Sequence, residues 1–169
     1  MQHAIHPLTQ SDLCSYRALR LQALRECPAA FGASPASEQA LSDAQILGRF
    51  AGAAGQIMWG SFDDIGRLCA TLGLYRDLGE KTAHKGHLFA MYVAGQARGQ
   101  GLARRLLETA IEHGRSLNLR QLILGCNASN AGALRLYEQV GFRPYGLEPA
   151  ALHVDGRFFD EVLMVLELG

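Results

Sequence analysis

The residues best suited to chemistry lie in one short stretch, Gln96-Ala97-Arg98-Gly99-Gln100-Gly101. Glycine accepts positive φ and lets a backbone approach an anion closely. A helix starting behind such a loop offers unpaired N–H groups and the positive end of its dipole. Arg98 and Gln96 add side-chain donors. This composition suits a phosphate or pyrophosphate seat; two glycines that merely turn a strand into a helix would look similar. Spacing excludes two familiar nucleotide loops. A P-loop needs Lys and Ser/Thr after its last glycine, but Leu102 and Ala103 follow Gly101. A dinucleotide fingerprint needs a third glycine where Arg104 stands.

Other reactive side chains read less clearly. Tyr137 shares an apolar helical stripe with Ala133, Leu136 and Val140, where a ring simply packs. His87 opens a strand; it can serve as a base through water, although strand-end histidines are more often surface residues, and His84 is no better. Cys126 has no sequence neighbour to lower its pKa, which argues against an acyl-carrying nucleophile. Asn130 has the type and position of a helix cap.

The elements that position these groups follow from periodicity and turn chemistry. Residues 4–8 read as a strand, then a helix starts near Thr9, Ser11 and Asp12 and ends at Pro28. Residues 29–40 read as a loop. Ser42 and Gln45 form a capping box for a helix running to Phe50. Strands at 56–62 and 68–75, joined by Asp63-Asp64-Ile65-Gly66, make an antiparallel hairpin; 76–85 is a polar loop. Strand 87–93 precedes the glycine loop, and Leu102, Leu106, Ala110 and Ile111 mark a helix behind it. A strand at 121–126, a turn at 127–130, and a helix stopped by Gly141 come next. Residues 151–154 and 158–168, around Asp155-Gly156, form a closing hairpin. The order predicts a single α/β domain over residues 1–169: a mixed, mostly antiparallel sheet with helices on both faces.

Composition sets limits. The 169 residues carry 16 Lys+Arg against 16 Asp+Glu, so the formal net charge is zero. Neither nucleic acid nor an anionic membrane is favoured as a partner. No run approaches the roughly 20 apolar residues of a spanning helix, and the first twelve residues lack a signal-peptide layout. Cys14, Cys27, Cys69 and Cys126 are too scattered for a zinc site or a disulfide framework, which fits the cytoplasm. No metal is expected. The expected assembly is a monomer or homodimer.

Two blocks carry a family resemblance. Met91-Tyr92-Val93 followed by Gln96-x-x-Gly99-x-Gly101 resembles the acetyl-CoA pyrophosphate motif of the GNAT superfamily of N-acetyltransferases. Leu122-x-Leu124, then Asn130-x-x-Ala133-x-x-Leu136-Tyr137-Glu138-x-x-Gly141-Phe142, resembles that family's second strand–helix unit. Pro28-x-x-Phe31-Gly32, and Asp160 with Met164, are similar to the ends of some members. The resemblance implies parallel strands 87–93 and 121–126 that splay apart to admit the cofactor. Backbone groups of Met91, Tyr92 and Val93 would pair with the pantetheine arm. Amides of Arg98, Gly99, Gln100, Gly101, Leu102 and Ala103 would bind pyrophosphate, beside Gln96. Asn130 and Ala133 would meet the arm, and Tyr137 would lie near the sulfur. Segments 26–39 and 76–84 and the last hairpin would wall the acceptor side, making Phe31, Glu38 and Tyr75 substrate candidates.

The implied activity is transfer of acetyl from acetyl-CoA to a primary amine of a small molecule, peptide or protein. It proceeds by direct attack in a ternary complex, with CoA as product. An oxyanion would be met by backbone N–H near Val93, and Tyr137 would protonate the thiolate. The alternative is an acyl-CoA sensor of the same fold without turnover. The chain departs from the family at Gly95, where many members have proline, and at Cys126, where valine is common. It also lacks the glutamate that many members carry on the strand before the glycine loop: residues 87–93 hold no carboxylate.

Overall fold

A computed structural model describes residues 3–52 and 55–169. In chain order the strands and helices are β1 (Ala4–Pro7), α1 (Leu13–Glu26), α2 (Pro35–Gln39), α3 (Asp43–Phe50), β2 (Ile57–Phe62), β3 (Leu68–Arg76) and β4 (Lys85–Val93). There follow α4 (Leu102–Ser116), β5 (Gln121–Asn127), α5 (Ala131–Val140), β6 (Arg143–Val154) and β7 (Arg157–Glu167). The strands form one seven-stranded sheet in the order β1-β2-β3-β4-β5-β7-β6. Among the described residues β4 and β5 pair in parallel, and every other strand pairing is antiparallel.

Side-chain alternation divides the core between the two faces of the sheet. Met58 of β2 packs with Tyr16 and Leu19 of α1 and Ile46 and Phe50 of α3. Its neighbour Trp59 packs with Leu106 and Leu107 of α4, together with Tyr137 of α5. Successive strand residues point to opposite faces, so α1 and α3 cover one side and α4 and α5 the other. The capping box at Ser42 and Gln45 is present and starts α3. Gly141 ends α5 at φ 109°.

Two expectations need correction. Residues 29–40 are not all loop: Ser34 caps a short α2, with Pro35 at its first position. The final hairpin is longer than expected, because β6 begins at Arg143 rather than near residue 151. Its first half, Arg-Pro-Tyr-Gly-Leu-Glu-Pro-Ala, is exposed and pairs with β7 through two register shifts. At an edge position a strand tolerates proline and needs no apolar alternation.

The feature that shapes the site is the parallel pair. Lys85, Gly86 and His87 pair with Gln121, Leu122 and Ile123, and the ladder stops there. Gly86 permits the close approach; a Cβ there would lie 2.7 Å from Leu119 and 2.8 Å from Leu122. Beyond His87, β4 bulges: Ala90 has φ 53°, and the β3–β4 register shifts between Thr71 and Gly73. Thr71 Oγ1 donates to the Ala90 carbonyl at 3.1 Å and holds the bulge. A bulge bends its strand, here away from β5.

Candidate active site

The gap between the diverging strands is a cavity of about 330 Å³. Leu88, Phe89, Ala90 and Met91 of β4 face Leu124, Gly125, Cys126 and Asn127 of β5 across it. Asn130, Ala133 and Tyr137 close the α5 side; Arg20 of α1, together with Ala30, Phe31 and Gly32, closes another; Glu161 of β7 completes the wall. Asn127 fixes the rim, donating from Nδ2 to the Ala29 carbonyl at 2.7 Å while its Oδ1 accepts from Ser129.

A second cleft, of about 260 Å³, lies at the start of α4. Val93, Arg98, Gly99, Gly101, Leu102 and Ala103 contribute to it. Gly99 and Gly101 sit at φ 77° and 74°, and a Cβ at either would point into open space. The amides of residues 99–104 donate to no described residue, as the first turn of a helix dictates. Unpaired donors beside two left-handed glycines fit a pyrophosphate group. The Arg98 amide is instead turned inward to the Gly95 carbonyl at 3.3 Å, and its Nε bonds the Val93 carbonyl at 3.0 Å.

The remaining expected site residues fall in different places. Met91, Asn130, Ala133, Tyr137 and Phe31 all line the central cavity. Asn130 also caps α5, accepting from the Ala133 amide at 3.1 Å. Gln96 is exposed on the glycine loop, and Gln100 Oε1 pairs with His3 Nε2 at 3.0 Å. Tyr92 faces the α1 side of the sheet, where its hydroxyl donates to Glu26 at 2.6 Å, leaving only its backbone for the gap. Glu38 is buried between Arg49, at 2.6 Å, and Arg20, at 3.4 Å, and lines neither space. Tyr75 stacks on His87 at the closed end of the strand pair. His87 Nε2 lies 3.0 Å from Asp77 Oδ1, outside the cavity. Segment 76–84 contributes nothing to the cavity wall.

The two charged cavity residues, Arg20 and Glu161, were not found from sequence. Asp160 stood out in the resemblance, but it is structural, accepting from the Ala150 amide at 2.8 Å. Strand alternation turns the next carboxylate, Glu161, into the cavity.

Burial governs the electrostatics here. It pushes the Tyr137 phenol well above its ordinary pKa, with Cys126 adding to the effect, so the proton is held firmly at neutral pH. Burial and the Glu161 carboxylate push Cys126 up to about 11, leaving a thiol and not a thiolate. Glu161 itself is raised, first by desolvation and then by Glu148. No cluster of His, Cys, Asp and Glu suited to a metal occurs among the described residues.

This arrangement, a V-shaped opening between parallel strands with an anion seat at one helix start, defines a class of acyl-transfer folds. The model of the acetyltransferase (GNAT) family matches residues 20–142, and the chain belongs to that family. It is similar to a putative phosphinothricin acetyltransferase, YwnH, of Bacillus subtilis (27% identical over 106 residues); the match covers 63% of this chain and 65% of that protein. Among solved structures, a GNAT acetyltransferase from Streptococcus pneumoniae superposes with a TM-score of 0.88 at 23% identity, covering 99% of this chain and 100% of the other. A Sinorhizobium meliloti phosphinothricin acetyltransferase, solved in complex with AcCoA, gives 0.86 at 21%, covering 100% and 90%.

Proposed function

We infer that the protein is an N-acetyltransferase that moves acetyl from acetyl-CoA to a primary amine in a ternary complex. Residues 1–169 act as one catalytic domain, as monomer or homodimer. The observation carrying this reading is the gap between β4 and β5, continued by the unpaired amides of residues 99–104. A cofactor with an extended polar arm and a pyrophosphate needs those two features in that order. Bound acetyl-CoA supplies an activated acyl carbon and a sulfur leaving group.

The chain's own groups do the rest. Backbone of Met91 and Val93 aligns the arm along β4. The α4 amides hold the pyrophosphate. Tyr137, buried on α5 and lining the cavity, holds its proton for the departing sulfur. The scattered free cysteines, Cys14 exposed among them, suit a reducing cytoplasm. No described helix is long and apolar enough to cross a membrane.

Thermal shift with acetyl-CoA, CoA and ATP tests the cofactor. The first two should raise Tm; a ligand at 100 times its Kd adds about 2.7 kcal/mol. Thiol release with a panel of primary amines tests turnover. Stabilisation by acetyl-CoA with no amine-dependent thiol release would replace the enzyme with a non-catalytic sensor.

A further inference from the structure

The cavity carries two charged groups that the acetyl-transfer reading does not use, and they are of opposite sign. Arg20 reaches it from α1. Its side chain is 10% exposed and its Nη1 is buried with no hydrogen-bond partner among the described residues. Its one ion pair is weak: Nε meets Glu38 at 3.4 Å, while that carboxylate makes its short contact, 2.6 Å, with Arg49. Two guanidinium groups thus share one carboxylate, and one positive charge is uncompensated. The Arg20 guanidinium lies over the Phe31 ring, 4.7 Å from its centre. Burying a donor without an acceptor is costly, so such a group points to a missing anionic partner.

Glu161 reaches the same cavity from β7. It makes no hydrogen bond or ion pair with a described residue, and the nearest charge is another carboxylate, Glu148, directly across the β6–β7 ladder. Gly125 makes room for it; a Cβ there would lie 2.7 Å from Glu161 Oε2. The groups facing Glu161 are therefore Glu148 from β6 and Cys126 from β5, neither of which compensates it. A carboxylate without a cation and a cation with an unpartnered donor, both on the wall of one cavity, describe a site built for a bipolar molecule.

We propose that the acceptor is a small amine bearing its own acidic group, an amino-acid-like zwitterion. Its anion rests on Arg20, and its ammonium rests on Glu161, which deprotonates it. This rests on the acetyl-transfer reading and names its substrate class. Glu161 takes one ammonium proton and passes it to water. The freed nitrogen pair forms the C–N bond to the acetyl carbon, and the C–S bond breaks with its electrons on sulfur. Tyr137 gives its proton to the sulfur and is reprotonated, through water, by the nitrogen's surplus proton, so the balance is amide, thiol and one proton to solvent. Glu161 thereby fills the role left open by the carboxylate-free strand β4.

The test is a set of matched acceptors: α-amino acids, their carboxamides, and the plain amines of the same chain length, assayed by thiol release with acetyl-CoA. Wild type should favour the acids in kcat/KM by about tenfold or more, the worth of a charge-assisted, two-pronged contact. Arg20→Gln should bring acid and amide to parity, chiefly through KM. Because Arg20→Gln also removes a partner of Glu38, Arg20→Lys is paired with it; it keeps the charge, loses the fork and should also shrink the preference. Glu161→Gln should lower kcat about 10²-fold on every accepted amine and abolish the acidic limb of the kcat/KM–pH profile. Thermal stability should stay the same or rise, since an unpaired carboxylate is removed. Equal use of acids and amides by wild type, equal losses on both in the Arg20 variants, or an unaltered pH profile in Glu161→Gln would overturn the proposal. If acetyl-CoA stabilises the protein but no amine releases thiol, the acetyl-transfer reading fails first and this one with it.

Discussion

Tyr137 shows how much one side chain's surroundings determine. Sequence periodicity puts it on an apolar stripe, which is compatible with packing alone; the fold puts the same ring on the cavity wall, beside Cys126. Tyr137→Phe preserves the ring's packing, so kcat should fall about 10²-fold with little change in KM for acetyl-CoA if the phenol supplies a proton. Steady-state kinetics, with circular dichroism as the fold control, reads this directly; turnover within a factor of about two of wild type would return Tyr137 to the core. Tyr92 offers a pH test. Burial and its bond to Glu26 push it up to about 12, whereas an unfolded tyrosine titrates near 10. Between those values the folded chain keeps a proton that the unfolded chain has lost, so stability falls as pH rises. Urea midpoints should decline from about pH 10 to 12, and Tyr92→Phe should make that decline shallower.

Elements with strong local signals were readable from sequence. Ser42 and Gln45 announced α3, Gly141 stopped α5, and Asp155-Gly156 turned the last hairpin. The failures share a cause: α2 has five residues, too few to show a period, and the first half of β6 is an exposed edge. The glycine loop was also legible, because φ near +75° at Gly99 and Gly101 has a residue-type signature. Gly101→Val places a branched side chain in the open space beside the unpaired amides and asks it to adopt a left-handed backbone. It should cost stability by about 1–3 kcal/mol yet leave the fold intact, while CoA affinity measured by calorimetry is largely lost. Unchanged affinity would move the pyrophosphate elsewhere.

What brings Arg20 and Glu161 to one cavity is the assembly of α1, β5 and β7, which no local pattern encodes; the antiparallel register setting Glu161 opposite Asn127 joins residues far apart in the chain. The same distance hid the role of Glu38, whose carboxylate ties α2 to α1 and α3. Glu38→Ala strands two arginines and should destabilise the protein by about 3–5 kcal/mol in urea unfolding, where a loss under about 1 would mean the pair is solvent-compensated. The short parallel ladder has a mechanical meaning for the whole chain. Three rungs between β4 and β5, preceded by the Arg120 amide bonded to the His84 carbonyl, join β1–β4 to β5–β7, and past them both strands carry free edges into the interior. A free edge is an unfinished surface that exchanges its amide hydrogens with water and can recruit foreign strands. An extended ligand laid in the gap would act as a temporary eighth strand, welding two leaves into one. Deuterium uptake across 88–93 and 124–127 should therefore slow sharply with acetyl-CoA, and the ligand-free protein should be the more aggregation-prone of the two.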